Sequence, residues 1–409
     1  MTATLAETSA PAKPYRNPAF LGWLGGYWVS LLGDQIYFIA FAYAAAQLGD
    51  PLLTSVVAAA SSLPRAVLLL FGGALGDRVG LRKLMLTADA LRAAVMLAAA
   101  LAGIGGTPIW LLLAASLIFG VVDAAYLPAV TAFPAQILPG EQLPAAAAAR
   151  SLAIRAGLLV GAPLGGLLAA TGGFVLACAV NAVTFTISVF VLARLRPAHE
   201  PEQPPAPAEK KNLLADVGAG LRYVASHPTL RLLFVVLTAI EFLITGPVNI
   251  GISLIAVERG WGSAGPGWMF GALGLGAVAG SLLVMVARKW SRPVFAGLTI
   301  VILEPLGTIL LGLSGTVALA AASVAMIGFT GGVTSALLGG TIQRLTAPGY
   351  RARIGSIFVL QGVGLVPVAL TGFGALAGWL GTGPACVACG TALALVVIAA
   401  LCHPVTRRN

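Results

Sequence analysis

Charge is scarce in this sequence of 409 residues, where Asp, Glu, Lys and Arg together make up 9%, against roughly 25% in soluble domains. That shortage excludes a water-soluble enzyme. Cysteine occurs four times and histidine three. Cys178, Cys386, Cys389 and Cys402 all lie in apolar stretches, which argues against a disulfide framework. Cys386 and Cys389 form a CxxC, but without histidine or further cysteine nearby the expected role is helix packing, not metal or redox work. His199, His227 and His403 fall in or beside polar segments. The sequence lacks GxxxxGK[ST], HExxH and GxSxG, so neither ATP use nor hydrolysis is expected, and no cofactor or metal is called for.

What the chain has in quantity is apolar surface: 58% hydrophobic residues and a mean hydropathy of +0.95. A bilayer span takes about 20 such residues, so at roughly 30 residues per span and turn the length accommodates about twelve helices. The 51 glycines and 25 prolines suit a packed membrane bundle, because small residues let helices approach and neighbours re-satisfy a broken backbone. Apolar runs between breaks fall near 20–48, 51–76, 84–103, 108–127, 146–170 and 174–195, then near 230–255, 266–287, 294–313, 317–339, 354–377 and 384–402. Residues 1–18 are polar and Pro-rich, so the first helix is expected to serve as its own insertion signal.

The formal charge of +10 is not gathered into a basic domain, which argues against a nucleic-acid partner. Instead the connections alternate. Lys13 and Arg16, Arg78, Arg82 and Lys83, Arg150, Arg194 to Arg231, Arg288 to Arg292, Arg344 to Arg353, and Arg407 with Arg408 fall on one side, whereas the opposite loops carry only Arg259. By the positive-inside rule both termini are expected in the cytoplasm. The Pro-rich stretch Arg196 to Asn212 cannot span and divides the chain. The expected organisation is a tail at 1–19, a six-helix bundle at 20–195, a cytoplasmic linker at 196–229 with a short amphipathic helix at Leu213 to Ala225, a second six-helix bundle at 230–402 and a tail at 403–409. The fold class is thus all-α integral membrane, with twelve transmembrane helices in two halves. Equal helix counts and similar first-helix openings, Asn17-Pro18-Ala19-Phe20 and His227-Pro228-Thr229-Leu230, point to duplication.

The turn between the second and third helices reads GALGDRVGLRK, Gly73 to Lys83. It resembles the GxLaDRxGRrr signature of the major facilitator superfamily, matching at Gly73, Asp77, Arg78 and Gly80, with Leu81 where an arginine is common, so that Arg82 and Lys83 alone carry the basic run. The resemblance implies a cytoplasmic conformational latch. The stretches NPAF, SLLGDQIY, LPR, ADALRA, LPGEQLPAAAA and RARIGS are similar to the macrolide-efflux and multidrug exporter branch, the drug:proton antiporters. In the fifth helix Gly157, Gly161, Pro163, Gly165 and Gly166 resemble the exporters' GxxxGPxxGG antiporter motif, departing from it in Ala162 and in the single Leu164 between proline and glycines. Independently of the resemblance, Gly157, Gly161 and Gly165 at a spacing of four make a flat face for close helix contact.

A charge near the bilayer centre costs at least about 2.5 kcal/mol, so ionisable residues inside spans are functional candidates. Counting about 1.5 Å of rise per residue places Asp34, Glu241 and Arg65 near mid-membrane. Asp34, held by Arg65, and Glu241, without an evident cationic partner, are expected to carry proton coupling or cationic substrate binding, with a static structural pair as the alternative. Glu304, beside Pro305, is a further proton-site candidate, its carboxyl bonded to backbone that the proline frees. Asp89, Arg92, Asp123 and Arg155 are read as a gating network on the cytoplasmic side, beside the latch. Gln35, Asn181, Asn249 and Gln361 suit interhelical hydrogen bonds. Tyr27, Trp28, Tyr37, Phe38, Tyr43, Tyr126 and Phe242 are candidates for lining a pocket.

The resemblance implies a monomeric transporter in the cell membrane, surrounded by lipid, exporting amphipathic small molecules such as macrolide-like drugs, with protons as the coupling ion. An exporter of an endogenous siderophore or antibiotic, or a non-transporting sensor or lipid-handling protein on the same fold, are the alternatives.

Overall fold

Asn17 fixes where the first span begins. Its side-chain oxygen accepts from the backbone N–H groups of Ala19 and Phe20 at 2.9 and 3.2 Å, and Pro18 follows with no N–H to satisfy. Helix α1 (Pro18–Ala46) then runs without interruption. The computed structural model describes residues 14–195, 213–287 and 290–408; residues 1–13, the linker 196–212, Arg288, Lys289 and Asn409, all invoked above, lie outside these.

After α1 come α2 (Pro51–Val79), α3 (Leu81–Ala102) and α4 (Ile109–Ala132). The fourth helix continues past the expected end at 127, through Pro128, before giving way to a 3-10 turn at Phe133–Gln136. The next stretch, Gly140–Arg194, is 55 residues long and apolar, but Gly173 takes φ +60, which reverses the chain and splits it into α5 (143–172) and α6 (174–194). An amphipathic helix α7 (Leu213–Ser226) precedes the second half. That half holds α8 (Pro228–Glu258), α9 (Ala264–Val286), α10 (Pro293–Leu313), α11 (Val317–Leu345), α12 (Arg353–Leu380) and α13 (Thr382–Cys402). Eleven stretches qualify as spans by length and composition, and dividing one at Gly173 makes twelve among the described residues. No strand occurs among them.

Several spans are broken internally. α8 contains a π turn at Pro247–Gly251 and α11 another at Thr334–Leu338. The regular hydrogen bonding of α10 breaks at Ile302, three residues before Pro305, whose ring cannot donate to the turn behind it.

Three pairs of helices are joined by one glycine each: Gly80 between α2 and α3, Gly173 between α5 and α6, and Gly381 between α12 and α13, with φ of +87, +60 and +89. The last two occupy the same place in their halves, the joint between fifth and sixth spans, a structural trace of the duplication.

Hydrophobic clusters show how the halves meet. At the end carrying the basic connections, hereafter the basic end, each half has its own core: Phe20, Trp23, Met85 and Phe133 in the first, Leu233, Leu298, Val397 and Val224 from α7 in the second. At the other end one core is shared, joining Ile39, Ala59 and Ala162 of the first half to Ile255, Met269, Phe373 and Cys386 of the second. The seam there is built on close backbone approach. A Cβ on Gly166 of α5 would lie 2.9 Å from the Gly267 Cα of α9, and one on Gly271 would lie 2.8 Å from the Pro163 ring. Likewise Gly374 of α12 leaves no room for a side chain against Ser55 of α2. The halves are therefore locked at the non-basic end.

Candidate functional site

Arg92 of α3 is the centre of a buried ionic network. Its side chain is 2% exposed, and it donates to Asp89 one helical turn away at 3.4 Å and to Asp123 of α4. Asp89, itself inaccessible, also accepts from Ser188 of α6 at 2.7 Å. The guanidinium lies over the Tyr126 ring, 4.0 Å from its centroid, with Phe119 and Phe185 at 5.7 and 5.5 Å. Asp123 in turn bridges to Arg65 of α2. Four helices are thereby tied together at the middle of their lengths, and the pairing accommodates two carboxylates and two guanidiniums that would otherwise be prohibitive in an apolar interior.

This geometry alters three expectations. Arg65 pairs with Asp123 and not with Asp34, whose Oδ1 is buried with no hydrogen-bond partner, while Asn181 lies beside it. Asp89, Arg92 and Asp123 lie together, but at mid-span instead of at the basic end. Arg155 does not join them; it lines a chamber with Glu241 and Glu304 of the second half.

A cavity of about 490 Å³ opens between the halves at this level. Asp34, Gln35, Arg65, Ser61, Ser116 and Asp123 supply its polar lining, and Tyr37, Phe38, Phe41, Phe119 and Phe270 its aromatic lining. Of the aromatics singled out from sequence only Tyr37 and Phe38 line it; Tyr27 and Tyr126 are packed in the first-half core, and Phe242 is 40% exposed on the outside. Phe41, Phe119 and Phe270 had no polar or charged neighbour in sequence to single them out. A second chamber of about 320 Å³ adjoins it, lined by Arg155, Glu241, Thr245, Asn249 and Glu304. Leu158, Val248, Asn249 and Leu273 line both spaces and form the wall between them. Glu304 is 4% exposed. Its Oε2 has no hydrogen-bond partner, so it is not bonded to backbone freed by Pro305. Asn249 sits in the π turn of α8 and donates to the Thr245 carbonyl at 2.8 Å within its own helix, not to a neighbouring one. Such π turns often re-aim a side chain into a site.

The glycines of α5 divide by face. Gly157, Gly161 and Gly165 admit α1, where a Cβ would come within 3.2 Å of Leu31, 2.8 Å of Gln35 and 2.9 Å of Ile36; Gly166 and Pro163 face α9 across the seam. A further small-residue interface, Gly276 and Gly280 of α9 against Gly328 and Gly332 of α11, has each glycine packed on backbone of the other helix. Its signal in the sequence is the GxxxG spacing in both helices. At the basic turn, Gly80 adopts φ +87, a backbone conformation that side-chain-bearing residues rarely take. Arg82 donates to the Leu192 and Ala193 carbonyls at 3.0 and 2.6 Å, capping the end of α6. Lys83 is exposed, and the side chains of Gly73, Asp77 and Arg78 lie outside the described ones. Arg259, the lone cation of the opposite loops, caps α10 through the Gly312 carbonyl at 2.7 Å and the Ser314 hydroxyl at 3.0 Å.

Two bundles of six spans around a shared mid-span cavity agree with the sequence comparison, in which residues 23–368 match the Major Facilitator Superfamily. The chain belongs to this family. It is a multi-pass membrane protein of the all-α facilitator fold. It is 28% identical over 290 residues to the multidrug efflux pump Tap of Mycobacterium tuberculosis (strain ATCC 25618 / H37Rv), a match covering 64% of this chain and 66% of that pump. It is 29% identical over 241 residues to the enterobactin exporter EntS of Shigella flexneri, covering 58% and 54%. Both matches span less than two thirds of the relative. Among solved structures, a bacterial homologue of the human lysosomal transporter Spinster superposes with a TM-score of 0.69 at 13% identity, covering 95% of this chain and 94% of that one, which bears on the fold.

Proposed function

We propose that this transporter exports amphipathic small molecules, macrolide-like or other drugs, in exchange for protons by alternating access across the cell membrane, working as a monomer with both termini in the cytoplasm. The observation that carries the reading is the mid-span cavity of about 490 Å³, walled by both halves, with aromatic rings opposite the Arg65–Asp123 pair. An aromatic, part-charged cavity suits a bulky ligand with a polar group. Locked halves at the non-basic end, with separate cores at the basic end, correspond in this reading to the state that receives substrate from the cytoplasm. Rocking about the seam then presents the cavity to the other side. Asp34, Glu241 and Glu304 are the groups whose protonation biases the two states, the Asp89–Arg92–Asp123 network holds the first half together as it moves, and the Gly73 to Lys83 turn acts as the latch.

Proteoliposomes carrying an imposed pH gradient test this with a panel of fluorescent cationic and neutral drugs. Gradient-driven uptake by the wild type, reduced at least tenfold in Glu241→Gln, is the expected result. No flux of any drug in the panel, or equal flux in the variant, overturns the drug:proton reading or the residue assignment respectively. A second reading, export of an endogenous siderophore or antibiotic, draws support from the likeness to the enterobactin exporter; loss of a secreted product on deletion, with unchanged drug sensitivity, would favour it.

A further inference from the structure

A further space, of about 570 Å³, opens at the basic end of the second half, and all of its walls belong to that half. Leu237 of α8 and Ile354 and Phe358 of α12 form its apolar side, while Thr334, Ser335 and Gln343 of α11 form a polar one. Such a void is not demanded by the fold. Where the corresponding first, fourth and fifth spans of the other half converge, Trp23 and Phe133, each at most 1% exposed, fill the interior with ring centroids 6.2 Å apart. In the second half, glycine keeps the space open: a Cβ on Gly339 or Gly355, both in the lining, would meet nothing within 4 Å. The polar side carries an unmet demand. A helical Ser or Thr commonly donates to a carbonyl three or four residues back, as Thr330, Thr341 and Thr346 do at 2.8, 2.7 and 2.7 Å. Thr334 opens the π turn of α11, and its buried hydroxyl has no partner. That state is disfavoured until something bonds the hydroxyl. Arg351, in the turn before α12, is the sole charged group among the described lining residues. Its Nε donates to the Thr346 carbonyl at 3.3 Å, which fixes the guanidinium at the exposed mouth.

We propose that this pocket binds an elongated amphipathic monoanion, with its carboxylate or phosphate on Arg351, its apolar body against Leu237, Ile354 and Phe358, and a hydrogen-bond acceptor within that body on the Thr334 hydroxyl. A cation without an acid beside it selects the sign of the ligand. The distance along α11 from Thr346, beside Arg351, back to Thr334 is about 18 Å at 1.5 Å per residue, which selects its length. Because no wall comes from the first half, the pocket keeps its shape as the halves rock. A ligand held equally in both states shifts neither of them. The anion is therefore a resident of the second half and not the cargo that crosses, and its binding does not depend on what the mid-span cavity carries. A free amphipathic acid and an anionic bilayer lipid both supply this chemistry.

The test is fluorescence titration of dansylamino-undecanoate, a carboxylate joined through an alkyl chain to a sulfonamide acceptor, into the full-length protein in phosphatidylcholine nanodiscs, with empty nanodiscs subtracted. Saturable binding to the wild type is expected, and the uncharged methyl ester should bind at least about tenfold more weakly. Arg351→Gln should lose a similar factor. Gly339→Leu and Gly355→Leu, which fill the space from two different helices without a clash, should abolish binding while the protein stays folded. Thr334→Val, nearly isosteric, should weaken binding about fivefold, yet its ligand-free melting temperature should equal or exceed that of the wild type. Gly166→Leu, on the seam, should bind as the wild type does. The proposal is overturned if the ester binds as tightly as the acid, if either folded glycine variant keeps full affinity, or if Thr334→Val melts lower, since its hydroxyl would then already be bonded. Weakened binding in Gly166→Leu would overturn the resident role. Phosphatidylglycerol added to the nanodiscs separates the sources: displacement of the probe assigns the site to a lipid, and its retention assigns it to a free acid.

Discussion

Arg92 illustrates how one residue can hold a membrane bundle together. It pairs with Asp89 and Asp123 and covers Tyr126, so its removal strands the buried Asp89 carboxylate and leaves Asp123 to Arg65 alone. Breaking a buried pair costs about 3–5 kcal/mol. Arg92→Met should therefore lower the thermal unfolding midpoint of the detergent-solubilised protein by many degrees, and an unchanged midpoint would mean that the network contributes no stability. Arg65, at 35% side-chain exposure, is the wet end of the same network, and Arg65→Met should cost far less. The ionisable residues at issue were legible because a charge in an apolar run stands out. Their pairing was not: counting rise along a helix gives depth but not direction around the axis, and Asp34 and Asp123 are at similar depth to Arg65. The direction of Arg155 was hidden for the same reason, although Leu158, one turn on, shares its chamber.

At the level of elements, the glycines carry most of the specificity. α9 and α11 approach through reciprocal glycine pairs, so Gly328→Leu, which drives a side chain into the backbone near Leu273, should destabilise the second half and reduce the yield of folded, monodisperse protein. Gly332→Leu should do the same against Ala277. Gly173 is different, because nothing lies within 4 Å of a Cβ there and only its φ of +60 constrains it. Gly173→Ala should cost about 1 kcal/mol through backbone strain alone, seen as a small drop in melting temperature without loss of folding. Apolar length made the spans readable from sequence, and the Pro- and charge-rich stretch made their grouping readable. The π turns in α8 and α11 left no such mark, since inserting one residue into a helical turn scarcely disturbs an all-apolar pattern. The fourth span, expected near 108–127, continues through Pro128 to Ala132, because packed neighbours let a membrane helix carry a proline.

For the whole molecule, the one-ended seam is the decisive feature. If Gly166 and Gly267 must touch for the non-basic end to close, Gly166→Leu should hold the halves apart there and favour the oppositely open state. Spin labels at Leu52 and Trp379, exposed by 44% and 82% on either side of that end, should report a longer distance in the variant by electron–electron resonance. An unaltered distance would show that the glycine contact does not control closure. The division into halves followed from the sequence, yet which end is locked did not, because both ends of each helix are equally apolar and only side-chain size at the crossing decides.

The single-glycine joints have a consequence for what the protein tolerates. A connection of one residue has no slack: α5 and α6, or α12 and α13, cannot slide past each other by even a turn, since about 5.4 Å of travel exceeds what one peptide unit can absorb. Each fifth and sixth span is thus a stiff hairpin, with one leg on the seam and, in the first half, the other holding Ser188 against Asp89. Lengthening the Gly173 joint by a few flexible residues would leave every helix intact and still uncouple seam from network, making that joint a poor place to insert a tag.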